Sequence, residues 1–291
     1  MFFVVNFSLF TLVLAAFSSS VYATGLFGAP ATNTKEQKFS LGIGSGMADN
    51  TKIRLEKTSL NGNIGSNAFS KSVSSTTGEI GEEAMFVDIA YGVNSGTSLY
   101  GRLSTGKQKQ IDDVKSDSLS SYTAGIRFAP SQSGRVKIGA VLQAHYADSS
   151  YTIDDYRITN ITINDRVYYS NVAISGEEQI SYTRLDALLA ISMDIASFRP
   201  YAGFYVSHMR GEYSFSASQN NLSLDSWPVE GGLVSSTTAS VSLDSKADIS
   251  LENMLGAMIG LSFNPNRQLG FETEIHFGLE QAVMFAGRYS F

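Results

Sequence analysis

Acid–base or nucleophilic chemistry needs a positioned base, and this sequence offers three histidines for the part: His145, His208 and His276. Two residues after each stand Ala147, Arg210 and Gly278, so none opens a His-x-Ser pair. Asp112-Asp113 and Asp154-Asp155 are adjacent carboxylates, and neighbours on a strand point to opposite faces, so neither pair makes a shared acid/base dyad. With Cys 0 there is no thiol nucleophile, no disulfide framework and no thiolate metal site. The expectation is a protein with no catalytic, cofactor-binding or metal residues.

Charge of both signs is instead placed at alternate positions of strand-like segments. Arg102, Arg127, Lys137, Arg184, Asp186, Arg199, Glu252, Glu272, Glu274 and Arg288 all fall on the polar face. If that face is enclosed, these groups must pair or bind water, because an isolated buried charge is strongly penalised. They then form either a packed salt-bridge network or the wall of a polar pore, and narrow barrels are more often filled by side chains.

The elements that would position them are β-strands. Period-two alternation recurs over 38-47, 84-92, 97-106, 120-129, 135-147, 179-194, 198-213, 247-263, 268-277 and 281-291, and helical periodicity is nearly absent. In 179-194, Leu185, Ala187, Leu189 and Ile191 stand against Arg184, Asp186, Ser192 and Asp194. Alternation alone does not distinguish a soluble sandwich from a barrel in lipid. The connections do, for 93-96, 130-134, 195-197 and 264-267 are short while 48-83, 107-119, 148-178 and 214-246 are long. Short turns at one end and long loops at the other, with both termini beside the short turns, fit an outer-membrane barrel with periplasmic termini and extracellular loops. Lys52-Ile53-Arg54-Leu55-Glu56 also alternates and is read as an extension above the bilayer, which keeps the strand count even. Ten strands is the preferred number, with eight or twelve as alternatives.

Composition agrees. The chain of 291 residues has Gly 26, Tyr 14 and Phe 18 against Pro 5, with 16% charged residues and a net charge of -6. Its cations are scattered, so no basic patch for nucleic acid exists. Residues 1-23 carry an uncharged apolar run, Phe2 to Phe17, followed by Val21-Tyr22-Ala23, the small-residue pattern of signal-peptide cleavage. The expected organisation is a signal peptide over 1-23, an N-terminal tail over 24-37 that either stays outside or enters the lumen as a plug, and an all-β transmembrane barrel over 38-291.

The C-terminal segment Val283 to Phe291 sets Phe285, Tyr289 and Phe291 on one face and ends on an aromatic residue. It resembles the terminal signature of outer-membrane proteins, and the resemblance implies the barrel-assembly machinery as partner. Phe198-Arg199-Pro200-Tyr201-Ala202-Gly203-Phe204 is similar to the x-Pro-Tyr-x-Gly strand start of OmpA-like, opacity-type and surface-antigen barrels. Ten-strand barrels also include the omptin proteases, whose rim pairs Asp-x-Asp and Asp-x-His are missing here. On the proposed lipid face, Phe39, Tyr91, Phe128, Phe263, Phe271, Tyr289 and Phe291 fall at the periplasmic ends, and Tyr122, Tyr146 and Phe277 toward the others, as interfacial aromatics should.

The long loops are the remaining functional surface, and 148-178 presents Tyr151, Tyr156, Tyr168 and Tyr169 for recognition. The reading is therefore a non-enzymatic surface barrel, adhesin-like or envelope-structural, whose partners are outer-membrane lipid and an unidentified extracellular ligand, with no nucleic acid. A small porin-like diffusion channel is the alternative, and a rim-located hydrolase a more distant one.

Overall fold

The computed structural model describes residue 27 and residues 36-72, 75-109, 118-130, 134-158, 161-170 and 172-291, apart from the side chains of 57, 109 and 155. The expected signal segment 1-23 lies outside the described residues, as does most of the tail 24-37.

Among the described residues fourteen strands run in the order β1 (Phe39–Ile64), β2 (Asn67–Ser72), β3 (Thr76–Asn94), β4 (Thr97–Lys109), β5 (Ser118–Phe128), β6 (Val136–Tyr156), β7 (Ile161–Ile163), β8 (Arg166–Ser170), β9 (Ile174–Met193), β10 (Phe198–Pro228), β11 (Ser235–Leu251), β12 (Leu255–Phe263), β13 (Leu269–Phe277) and β14 (Gln281–Ser290). Every pairing between them is antiparallel. Ten of them close a ring, β1-β3-β4-β5-β6-β9-β10-β12-β13-β14 and back to β1. Closure runs from Ser40↔Ser290 to Asp49↔Gln281, and the Phe291 amide donates to the Phe39 carbonyl at 3.1 Å, so the last residue completes the seam. A closed ring leaves no unpaired edge for lipid to face, which is the condition for a sheet to cross a bilayer.

The two faces of the wall meet opposite environments. Leu41, Ile43, Met85, Val87, Leu99, Leu103, Leu142, Leu185, Leu189, Phe204 and Val206 are exposed on the outside, while Arg127, Arg184, Asp186 and Glu274 are buried within. A soluble protein inverts this arrangement, so the fold is a transmembrane β-barrel. Aromatics collect at the short-turn end, where Phe39 packs on Tyr91 and Phe198 on Phe263, each at 4.8 Å between ring centroids. Tyr122 and Tyr146 stack toward the other end at 6.4 Å.

Above the ring the strands continue. The segments expected as loops over 48-83 and 214-246 are largely strand, because β1 runs on to Ile64, β2 and β3 follow, and β10 extends 31 residues to Pro228. At ~3.3 Å per residue β10 is about 100 Å long, whereas a tilted strand crosses with roughly 9 to 11 residues. Lys52 to Glu56 is thus a continuation of β1, and the ring stays even. The expected strand 247-263 is interrupted at 252-254, and there it changes neighbours. β12 pairs β10 and β13, whereas β11 pairs β10 and β1. β13 and β14 stop below this point at a tight turn over 278-280, so the circumference shrinks by two strands on the outer side.

Inward glycines make room for inward aromatics. A Cβ on Gly256 would collide with the Tyr205 ring, one on Gly260 with Tyr201, and one on Gly125 with Tyr100. Each tyrosine lies over a glycine of the neighbouring strand, which covers its bare backbone and fixes the register between them.

Candidate functional site

Tyr100 on β4, Gln143 on β6, Arg184 and Asp186 on β9, and Tyr201 and Tyr205 on β10 all point into the lumen because each occupies the inward parity of its strand. There they join one network. The Tyr100 hydroxyl donates to Gln143 Oε1 at 2.5 Å, and Gln143 Nε2 donates to Asp186 Oδ2 at 2.9 Å. Arg184 Nε donates to Asp186 Oδ1 at 2.7 Å, and Ser207 Oγ donates to the same oxygen. Arg184 also donates twice to Glu280, at 2.6 and 2.9 Å. His276 lies between Glu280, 3.4 Å from Nδ1, and Glu274, 3.3 Å from Nε2, and the Tyr201 hydroxyl donates to Glu274 at 3.1 Å.

A second cluster sits nearer the short turns. Asp88 accepts Arg288 at 3.3 Å and faces Arg102 at 3.5 Å, Arg288 also donates to Glu272 at 3.3 Å, and the Arg102 guanidinium lies 3.9 Å over the Phe86 ring. Arg127 lies 4.3 Å over Tyr100. At the mouth, Asp194 receives Lys137 at 2.6 Å and Arg199 at 2.5 Å, with all three side chains partly exposed.

Of the residues expected in the lumen, Arg102, Arg127, Arg184, Asp186, Glu272, Glu274 and Arg288 are brought together inside, and Lys137 and Arg199 form the mouth pair. Glu252 does not belong: it is exposed where β11 gives way to β12, because the interruption there breaks the parity of the strand. Sequence reasoning missed Asp88, Gln143, Glu82 and Glu280. Asp88 and Gln143 are legible by parity, since each alternates with outward apolar residues. Glu280 gave no such signal, lying in a turn rather than on a strand.

One arrangement has the order of a catalytic triad. Thr123 Oγ1 is hydrogen-bonded to His145 Nδ1 at 2.9 Å, and His145 Nε2 faces Glu82 at 3.8 Å. All three are buried, and the Tyr182 ring lies 6.0 Å from that of His145. His208, by contrast, points outward into the lipid-facing wall, where a shallow dent is lined by Leu99, Leu142, Leu185 and Val206.

The outer part has its own apolar core. Ile64, Ile158, Ile174, Phe215, Leu222, Leu224, Val241 and Leu243 pack together above the ionic network, and Tyr168 joins them. The tyrosines expected as a free surface are therefore mostly structural. Tyr151 and Tyr168 are buried, Tyr156 packs on Phe215 at 5.0 Å, and Tyr169 is half-buried. Tyr151 and Tyr168 point inward because the segments holding them are paired strands and not open loops, and Tyr169, next to Tyr168 on β8, faces the other way. What is exposed is the tip between β10 and β11, where Val229, Leu233 and Val234 face outward, Leu233 at 92%.

No protein-family model matches the sequence, and no curated protein matches it. Among solved structures it is similar to the outer membrane protease OmpT from Escherichia coli, at 8% identity and a TM-score of 0.47 over 90% of this chain and 100% of that one. It is also similar to the outer membrane protein OprG from Pseudomonas aeruginosa, at 10% identity and a TM-score of 0.35 over 89% and 98%. A third is the attachment invasion locus protein Ail of Yersinia pestis, at 11% identity and a TM-score of 0.27 over 88% and 99%. At these identities and scores nothing of those proteins' activities passes to this chain.

Proposed function

We propose that this chain is a bacterial outer-membrane barrel of the surface-display kind, neither enzyme nor diffusion channel, with both termini periplasmic and the β1–β2, β7–β8 and β10–β11 hairpins outside the cell. The observation that carries this reading is the apolar core of Ile158, Ile174, Phe215, Leu222 and Leu243 stacked on the buried ionic network. Ions do not pass through packed hydrocarbon, and a substrate has no route to His145 or Thr123 through it. The same core stiffens the hairpins into a rigid projection, which suits presentation of an exposed tip to an external partner.

Two measurements test it. Refolded protein in a planar bilayer should give no steady conductance, and a stable open level would overturn the reading in favour of a channel. Cells displaying the protein should bind an immobilised panel of host-surface proteins and glycans, and L233S/V234S should be displayed equally well yet lose that binding. Equal binding by the variant would remove the tip from the function.

A further inference from the structure

Phe27 precedes the first strand by twelve positions, yet it is fully buried, 0% exposed, inside the ring. Its ring stacks on His276 at 5.7 Å and 13°, and it meets Tyr205 at 5.0 Å and 55°. Its carbonyl oxygen accepts two hydrogen bonds from Arg127, at 3.2 Å from Nε and 2.9 Å from the terminal nitrogen. Arg127 stands on β5 and His276 on β13, which lie on opposite sides of the ring order, so this single residue spans the lumen from wall to wall.

The receptacle is specific in its chemistry. Arg127 is fully buried, and among the described residues its guanidinium hydrogen-bonds to Phe27 alone. A buried guanidinium without an acceptor is strongly penalised, so the lumen presents a cation that requires a carbonyl. Beside it the Tyr205 and His276 rings offer faces to an aromatic side chain. A backbone carbonyl and an aromatic ring on one residue are what a peptide supplies. Nearer the first strand, the chain is held again: the Gln37 amide donates to the Gly92 carbonyl at 2.8 Å, and the Gly92 amide donates to the Lys38 carbonyl at 3.0 Å.

We propose that the lumen is a peptide-binding site whose resident ligand is the chain's own Phe27, its ring held between Tyr205 and His276 and its carbonyl gripped by Arg127. Phe27 thereby cross-braces β5 against β13. This inference is independent of what the outer hairpins recognise, and it stands or falls separately from the surface-display reading.

The chain has one tryptophan, Trp227, and no cysteine, so full-length reporters are clean. In a W227F background, F27W places the sole indole at the anchor. Folded in bilayers, it should emit at short wavelength, resist acrylamide several-fold better than the urea-unfolded chain, and stay unquenched by brominated lipid. Acrylamide quenching equal to that of the unfolded chain would overturn the proposal, and so would bromolipid quenching, which would place the residue on the outer wall. Adding R127Q should raise acrylamide access while heat-modifiable migration is retained, and unchanged access would remove Arg127 from the grip. Should indole prove too large, F27C with a membrane-impermeant maleimide serves: protection in the folded state, against ready labelling of K38C, supports the anchor, and equal labelling sinks it.

Discussion

Arg184 grips Glu280 through two hydrogen bonds of 2.6 and 2.9 Å, and thereby ties the middle of β9 to the turn that joins β13 to β14. That turn sits where the wall loses two strands, so the pair fastens the shorter hairpin beneath the longer ones. Removing one member of a buried pair costs about 3–5 kcal/mol because the other charge is stranded. E280A should fall in that range, measured as the urea midpoint of refolded protein followed by heat-modifiable migration. R184M should be worse, since it strands Asp186 as well. The double variant should show a coupling of roughly 1–3 kcal/mol, and additive single effects would mean that the two residues act independently.

The tyrosine-over-glycine contacts make a sharper demand on shape. Gly256 leaves no room for a Cβ beneath the Tyr205 ring, so G256A forces the ring out of its place beside Phe27 and Glu280. Overpacking of this kind costs about 1–3 kcal/mol. G256A should lower the stability by that amount, and the same substitution should cost much less in a Y205A background, where no ring is displaced. G101A is the control, because the position lies in an open part of the wall. Equal effects at both positions would count against a specific fit.

Much of this was legible in the chain, for a physical reason. Lipid imposes an apolar outer face on every crossing, so Leu185, Leu189 and their counterparts announce both the strand and its inward partners Arg184 and Asp186. Outside the bilayer that constraint lapses. Where the outer face meets water, strands such as those carrying Leu222, Leu224, Val241 and Leu243 have Ser, Asn and Asp between the inward residues, and the composition reads as loop although the parity is still present. The same lapse made Tyr151 and Tyr168 look like surface residues. Glu280 and Phe27 lie outside any strand, and no periodicity points to where a turn or a terminal segment folds back.

Acid should loosen the short-turn mouth. Burial pushes the Asp194 carboxyl up, but hydrogen bonds and charge from Arg199 and Lys137 outweigh it and hold the group below its usual 3.8. A carboxylate with a depressed folded value adds stability that is present above the unfolded value and is lost as pH falls through the folded one. Because all three side chains are partly exposed, the contribution is small, roughly 0.2–1 kcal/mol. D194N should therefore lower stability slightly at neutral pH, and the gap to the parent should narrow progressively as the pH falls below 3.8. A constant difference between the two across that range would show that ionisation of Asp194 contributes nothing.

The final residue separates assembly from stability. Phe291 is 63% exposed, and besides an edge contact with the Tyr289 ring at 5.1 Å it supplies a backbone amide to the Phe39 carbonyl, which any residue can supply. F291S should then change the unfolding midpoint of refolded protein by no more than about 0.5 kcal/mol, as surface substitutions do. If Phe285, Tyr289 and Phe291 form the face read by the barrel-assembly machinery, the same variant should leave cells with far less protease-accessible surface protein and more periplasmic degradation products. F291Y, which keeps a terminal aromatic, should restore insertion. Normal surface levels for F291S would leave the terminal aromatic as a lipid-facing residue with no part in assembly, whereas a large loss of stability in the refolded protein would make it structural.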